Sequence, residues 1–235
     1  MKSRKRHQVR PLVGVLLERA ISNADEVYPW IIALGQQRWP IVDTGYGRTD
    51  VSRCTMVENM LTSDIDYTHL VMLDIDHDHG QDVVPKLIRA VTEDPSRLVV
   101  TALSFRRGQP YEPIAFRRND EGLFQAVLTW EPGEVLGGLA RIGLGAVIIA
   151  KEVFERVPWP WFKYEYLNRG EYPSEDIWFA KQCEAAGIGM YVDTRITNDH
   201  LSVARVNESV FWGYIKMRED QERQRQARGE VDNGA

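Results

Sequence analysis

Carboxylates and imidazoles gather directly after one apolar segment of the chain. The sequence from His69 to Gly80 reads HLVMLDIDHDHG, so an apolar run ends in charged side chains. Residues two apart on an extended chain point to the same side, so Asp74 and Asp76 can converge on one cation while Ile75 packs behind them. Such oxygen ligands suit Mg²⁺ or Mn²⁺, which also bind diphosphate oxygens. The stretch is therefore a candidate divalent-metal site, although an acidic turn after a buried strand would share this pattern. Three further side chains here are candidate ligands with open roles: His77, Asp78 and His79.

Two later segments offer side chains that could complete this site. Ser174 is a natural N-cap for a helix that continues with Glu175 and Asp176. A carboxylate at a helix start can accept a proton from a hydroxyl placed beside it, or it can simply complement the helix dipole. His200 follows a predicted strand and could supply a nitrogen ligand to the cation.

Short apolar segments alternate with helical patterns along most of the chain, which predicts an α/β fold with a mostly parallel sheet. Strands are predicted at 12–17, from 41, and at 69–73, 98–102, 141–150 and 188–192; helices are predicted at 23–34, 54–61, 82–91 and 174–187. Residues 113–116 and 124–130 predict an antiparallel hairpin. Because ligands in open α/β sheets bind at the carboxyl ends of strands, the acidic segment lies where a site is expected.

Composition favours one large domain. The chain has 235 residues, of which 43% are hydrophobic, and these can bury a full core. A net charge of -5 argues against non-specific nucleic-acid binding, and no apolar run is long enough for a transmembrane segment. Cys54 and Cys183 are too few for a disulfide framework, which predicts a cytoplasmic protein with reduced thiols. We expect a disordered basic N-terminus at 1–10, the folded domain at 11–217 and a polar tail at 218–235.

The ordered combination of Asp-x-Asp, Glu-Asp and His resembles the GT-A-type glycosyltransferases of the nucleotide-diphospho-sugar transferase superfamily, in particular family 2. In that family, a motif similar to the one at Asp74 and Asp76 binds the metal and the donor diphosphate. Glu175 and Asp176 are similar to its Glu-Asp motif, whose aspartate often deprotonates the acceptor. His200 stands where the family commonly has a metal-binding histidine. The resemblance covers roughly residues 12–205.

This resemblance implies a Rossmann-related single domain with a mostly parallel central sheet, helices on both faces and a small antiparallel hairpin. It implies catalytic roles for Asp176 and Glu175, and Mn²⁺ or Mg²⁺ held by Asp74, Asp76 and His200. Further candidate donor contacts follow from the resemblance: Arg53, Gly143 and Gly145. Arg53 is followed here by Cys54, where relatives often have asparagine. At the two glycines the chain could approach a ligand closely or form a bulge.

The implied reaction moves a sugar from a nucleotide-sugar donor, UDP- or GDP-linked, to a hydroxyl of a carbohydrate or other acceptor. Whether the product is inverted or retained stays open, and Asp176 serves as the base only if it is inverted. A nucleotidyltransferase-like enzyme acting on a nucleoside triphosphate is one alternative, although no Gly-rich phosphate loop follows the first strand. A catalytically silent carbohydrate-binding protein of the same fold is the other.

Two further groups of residues have open roles. The aromatic segment at 157–162 and Trp178 could stack on sugar rings or belong to the core. Arg106 and Arg107 follow a predicted strand and could contact the diphosphate, but surface arginines need no such role.

Overall fold

Strands and helices alternate along the chain in the computed structural model, which describes residues 8–17, 24–165, 167, 173–201 and 206–227. The strands are β1 (Pro11–Leu17), β2 (Ile41–Tyr46), β3 (His69–Asp74), β4 (His77–His79), β5 (Val99–Leu103), β6 (Ala115–Arg118), β7 (Phe124–Ala126), β8 (Val135–Leu136), β9 (Arg141–Ile142), β10 (Ala146–Ala150) and β11 (Met190–His200). The helices are α1 (Ala24–Gln36), α2 (Thr49–Thr62), α3 (Val83–Glu93), α4 (Lys151–Arg156), α5 (Glu175–Ala185) and α6 (Glu208–Ala227).

The larger sheet has eight strands in the order β2-β1-β3-β10-β5-β11-β4, with β8 paired to β11. β1 is parallel to β2 and β3, and β5 is parallel to β11. β10 lies between β3 and β5 and is antiparallel to both, so β1, β2, β3, β5 and β11 share one direction. The predicted mostly parallel sheet in a mixed α/β domain is therefore confirmed.

Alternating side chains of β3 separate two hydrophobic cores. Leu70 and Met72 face one core, which also contains buried residues of α2, α5 and α6. Val71 and Leu73 face the other, which contains buried residues of α1 and α3. Because successive strand residues point to opposite faces, a continuous apolar run is what a strand covered on both sides requires. Helices on both faces are confirmed, and the buried part of β3 ends where Asp74 begins the acidic segment.

The predicted hairpin forms, and a third strand joins it. β6 pairs antiparallel with β7 and β9 in a separate three-stranded sheet. The single strand predicted at 141–150 is wrong, because β9 belongs to the small sheet and β10 to the large one. Between them, Gly143 N–H donates to Ile114 O at 3.0 Å and Gly145 O accepts from Asp74 N–H at 2.9 Å. The chain therefore passes from one sheet to the other at residues 143–145.

One strand extends beyond its predicted end, and one helix reaches into the expected polar tail. β11 continues past residue 192 because, after an irregularity between Asp193 and Thr197, it pairs with β4. α6 continues to Ala227, so residues 218–227 of the expected polar tail form helix. The expectations for residues 1–7, 23 and 228–235 lie outside the described residues. In the part of the chain that the structure describes, no helix combines the length and hydrophobicity needed to span a membrane.

Candidate active site

Residues at or just after the carboxyl ends of β3, β5 and β11 line a cavity of about 190 Å³. Every candidate site residue predicted from the sequence lies in its wall: Arg53, Asp74, Asp76, Gly143, Gly145, Glu175, Asp176 and His200. Additional wall residues include Thr49, His77, Ser104, Arg107 and Tyr164. The fold therefore brings together segments that are more than 100 residues apart in the sequence, such as α2 and α5.

Asp76, His77 and His200 form a candidate metal centre in this wall. One ligand atom from each residue lies within 4.8 Å of the others. His77 Nδ1 is 2.9 Å from Asp76 Oδ1, and His200 Nε2 is 3.6 Å from Asp76 Oδ2. Adjacent ligands of an octahedral ion, each about 2.1 Å from it, are about 3 Å apart. The three side chains are thus close enough to share one divalent cation.

The pairing of β11 with β4 places the two imidazoles side by side. His200 is opposite His77 in this antiparallel ladder, and their rings stack with centroids 4.2 Å apart. His200 Nδ1 donates to the carbonyl oxygen of Phe105 at 3.1 Å, so the ring presents Nε2 toward Asp76. That Nε2 is buried and has no hydrogen-bond partner. In metal-ligating histidines one ring nitrogen usually donates to a carbonyl or carboxylate and the other nitrogen binds the metal, an arrangement that His200 allows.

The charges of His77 and Asp76 also fit a cation. Burial lowers the pKa of His77 to about 4, so its imidazole is neutral near pH 7. Burial would raise the pKa of Asp76, but polar contacts with His200 and His77 hold that pKa well below its usual value. One carboxylate and an imidazole pair form a mixed oxygen and nitrogen set, which suits Mn²⁺ better than Mg²⁺.

Asp74 lies outside this three-residue group and is bound by Arg53. Arg53 Nη2 is 3.0 Å from both carboxylate oxygens of Asp74, and Arg53 Nε is 3.3 Å from Glu175 Oε1. The guanidinium is buried, which lowers its pKa, but the carboxylates of Asp74, Glu175 and Asp176 raise that pKa overall. Arg53 therefore stays charged and links α2 to the ends of β3 and α5. Direct contacts of Asp74 with a metal and of Arg53 with a donor stay predictions.

Asp176 faces the cavity from the first turn of α5. Its Oδ1 accepts hydrogen bonds from Ser174 Oγ–H and, at 2.7 Å, from Ile177 N–H. Ser174 occupies the N-cap position as predicted, but its hydroxyl donates to Asp176 and makes no side-chain cap bond. Burial and the neighbouring Glu175 carboxylate raise the pKa of Asp176 to about 6. A carboxylate with this pKa is ionised at neutral pH and is a stronger base than an ordinary aspartate.

Gly145 makes room for the side chain of His77. A Cβ atom at residue 145 would lie 2.6 Å from His77 Nε2 and 2.9 Å from Asn198 Nδ2, closer than non-bonded atoms approach. The close approach that this glycine permits is therefore to a candidate metal ligand. At Gly143 a Cβ atom would meet the Ile114 side chain at 3.2 Å.

Gly145→Ala is expected to weaken manganese binding about 10- to 100-fold, the range typical for changes that displace the support of a ligand. The His77 ring is buried between the rings of His79 and His200, so it cannot retreat without leaving its place. Isothermal titration with Mn²⁺ measures the effect. Gly143→Ala changes the same segment away from His77 and should keep the wild-type affinity. Equal losses in both variants, or none in Gly145→Ala, would contradict this role.

Of the three candidate ligands with open roles, His77 and His79 have distinct roles in the structure, and Asp78 lies outside the site. His77 belongs to the candidate metal centre, whereas His79 Nε2 donates to the carbonyl oxygen of Asp74 at 2.9 Å and holds the backbone there. Asp78 lies on β4 outside the cavity wall.

Arg107 does line the cavity, with Nη2 2.5 Å from Asp76 Oδ2. Its position after a strand end was the only signal in the sequence for this contact.

The aromatic segment before α5 mostly serves the core. Trp161 and Phe162 are buried there, whereas Trp159 is 69% exposed. Trp178 Nε1 donates to the carbonyl oxygen of Pro160 at 2.8 Å. Among the described residues that line the cavity, none belongs to this aromatic group.

Neither a protein-family model nor a curated protein matches the sequence. Among solved structures, the protein A197 from STIV is similar with a TM-score of 0.57 and 19% identity, covering 83% of this chain and 86% of that chain. A 4-diphosphocytidyl-2C-methyl-D-erythritol synthase from Anaerococcus prevotii has a TM-score of 0.42 and 8% identity, covering 79% and 88%. A mutant of Drosophila beta-1,4-galactosyltransferase 7 in complex with manganese, UDP-Gal and xylobiose has a TM-score of 0.41 and 13% identity, covering 83% and 71%. The two weaker likenesses carry no inference about function, and the first shows that this chain shares its fold with A197.

Proposed function

We propose that this protein is a metal-dependent glycosyltransferase that moves a sugar from a UDP- or GDP-linked donor to a hydroxyl of an acceptor. The observation that carries the proposal is that one cavity contains both a group able to hold a divalent cation and a carboxylate suited to act as a base. The metal group is Asp76, His77 and His200, and the base is Asp176. The predicted cytoplasmic location is retained as part of the proposal.

Asp76, His77 and His200 would hold the cation, and we expect Mn²⁺ to bind more tightly than Mg²⁺ because imidazole nitrogens suit it better. When bound, such an ion stabilises the negative charge that develops on the leaving nucleoside diphosphate. Asp74 would act beside this group, chiefly by fixing the guanidinium of Arg53. A direct contact of Asp74 with the ion is a further part of this proposal.

Asp176 would take the proton of the acceptor hydroxyl as that oxygen attacks the sugar. Its bonds from Ser174 and Ile177 both reach Oδ1, so the carboxylate is held in one orientation. Glu175 would act as a positioning residue, since its carboxylate accepts from Arg53 Nε at 3.3 Å and is mostly buried. A base on the acceptor side implies inversion at the anomeric carbon.

The decisive test incubates the full chain with a panel of UDP- and GDP-sugars and with Mn²⁺ or Mg²⁺, and measures released nucleoside diphosphate. We expect metal-dependent release from at least one donor, with loss of release when EDTA is added. A parallel incubation with nucleoside triphosphates measures inorganic diphosphate, the product of a nucleotidyltransferase. Diphosphate release without turnover of any sugar donor would overturn the proposal in favour of that enzyme class. Donor binding without turnover would indicate a catalytically silent carbohydrate-binding protein.

A further inference from the structure

Arg107 holds the carboxylate that the proposed metal requires. Its Nη2 lies 2.5 Å from Asp76 Oδ2, and the same oxygen is 3.6 Å from His200 Nε2. A divalent cation between Asp76 and His200 would need this oxygen as a ligand. Because a guanidinium and a divalent cation repel each other at short range, binding of the cation to this oxygen weakens the contact of Arg107 with it.

Arg107 also has room to change its position. Its side chain is 37% exposed and lies in the loop between β5 and β6. Arg53, the other arginine among the described residues of the cavity wall, has a side chain that is 2% exposed and is held by Asp74 and Glu175. Of the two guanidinium groups, only that of Arg107 can turn from the wall toward a bound ligand.

We infer that Arg107 changes partners when the site is loaded: it pairs with Asp76 in the metal-free protein and binds the diphosphate of the nucleotide once a divalent cation has taken Asp76. The inference rests on the proposed function, which supplies the diphosphate. A guanidinium can donate two parallel hydrogen bonds to phosphate oxygens. The diphosphate can therefore bind Arg107 at least as strongly as the carboxylate of Asp76 does.

This exchange makes the metal and the diphosphate bind cooperatively. Without diphosphate, the metal must displace Arg107 from Asp76 and leave the guanidinium without its carboxylate. With diphosphate present, the displaced guanidinium is paired again, so each ligand favours the other. The side chain of Arg107 would thus oppose binding of the metal alone and support binding of the metal with its anion.

Two titrations of Arg107→Ala test this inference without turnover. Mn²⁺ alone should bind several-fold more tightly than to the wild type, because its competitor for Asp76 is gone. The preformed complex of Mn²⁺ with inorganic diphosphate should bind about 10- to 100-fold more weakly, the range for loss of one hydrogen bond to a charged group. Opposite shifts are not what a merely structural role would produce, since a damaged site binds both ligands more weakly.

Arg106→Ala is the matched control, because it removes the same charge from the same loop. Arg106 pairs with Glu112 at 2.9 Å, is half exposed and lies outside the cavity wall. Both affinities of this variant should stay at wild-type values. The inference is wrong if Arg107→Ala binds Mn²⁺ equally or more weakly, if its affinity for the manganese–diphosphate complex is unchanged, or if Arg106→Ala shifts in the same way.

The outcome is separable from that of the proposed function. Opposite shifts in Arg107→Ala together with no turnover of any sugar donor would refute the glycosyltransferase and leave the role of Arg107 intact. Sugar transfer by the wild type without opposite shifts in Arg107→Ala would refute the partner exchange alone.

Discussion

Asp76→Asn is expected to abolish metal-dependent release of nucleoside diphosphate and to weaken Mn²⁺ binding more than about 100-fold, beyond the loss usual for residues outside the ligand set. Asp76 is the residue that both imidazoles face, with Oδ1 toward His77 and Oδ2 toward His200. Asparagine keeps the size of the side chain but removes its negative charge and one acceptor oxygen. Isothermal titration with Mn²⁺ measures the affinity, and the donor panel measures turnover.

Asp78→Asn provides the matched comparison for this result. It makes the same substitution two residues further on, on β4 and outside the cavity wall. Manganese affinity and turnover should therefore stay close to wild type in this variant, and thermal unfolding of both variants checks that the fold is kept. Wild-type manganese affinity in Asp76→Asn would show that the candidate metal centre is wrong.

The position of the site within the fold was predictable because it depends on patterns local to each segment. The apolar run before Asp74 is long enough to be covered on both faces, which requires a central strand with helices on each side. The chain leaves that strand at its carboxyl end, so the carboxylates had to lie at the edge where α/β sheets bind ligands. The start of α5 was also predictable from local sequence, because Ser174 and the apolar face through Phe179 and Cys183 mark it.

Which atoms meet in the cavity was not predictable, because it depends on pairing between distant segments. His77 reaches His200 only because β11 continues eight residues beyond its predicted end and pairs with β4. No pattern within residues 193–200 indicates that pairing, since the strand is irregular between Asp193 and Thr197. Likewise, the packing of α2 on β3 places Arg53 beside Asp74. The carboxylate of Asp74 therefore pairs with Arg53 and does not belong to the group around Asp76.

The split of the strand predicted at 141–150 has a similar cause. Its apolar side chains suit either sheet, and the sequence does not state that the backbone of residues 143–145 bonds to Ile114 on one side and Asp74 on the other. The sequence shows the glycine at 145 but not why it is needed. The side chain of His77, nearly 70 residues earlier in the chain, occupies the space that a Cβ atom at 145 would take.

Asp176→Asn is expected to lower sugar transfer about 100- to 10,000-fold, the usual contribution of a general base, while donor and manganese binding stay near wild type. The asparagine Oδ1 can still accept from Ser174 Oγ–H and Ile177 N–H, so the start of α5 should be kept. At pH 7 the free energy of unfolding of Asp176→Asn should not be lower than that of the wild type. The folded-state pKa of Asp176 is raised from 3.8 to about 6, so ionisation of this carboxyl costs stability as the pH rises through that interval, and asparagine does not carry this cost.

The pH dependence of the wild type provides an independent measure of the same role. Only the ionised carboxylate accepts a proton, so kcat/KM for the acceptor should fall as the pH drops through about 6, with donor and manganese saturating. Below that inflection the fall should approach about tenfold per pH unit, as for titration of a single group. The residual activity of Asp176→Asn should lack this inflection because asparagine does not titrate. An unchanged inflection in Asp176→Asn would assign it to another group, and normal transfer by this variant would remove Asp176 from the role of base.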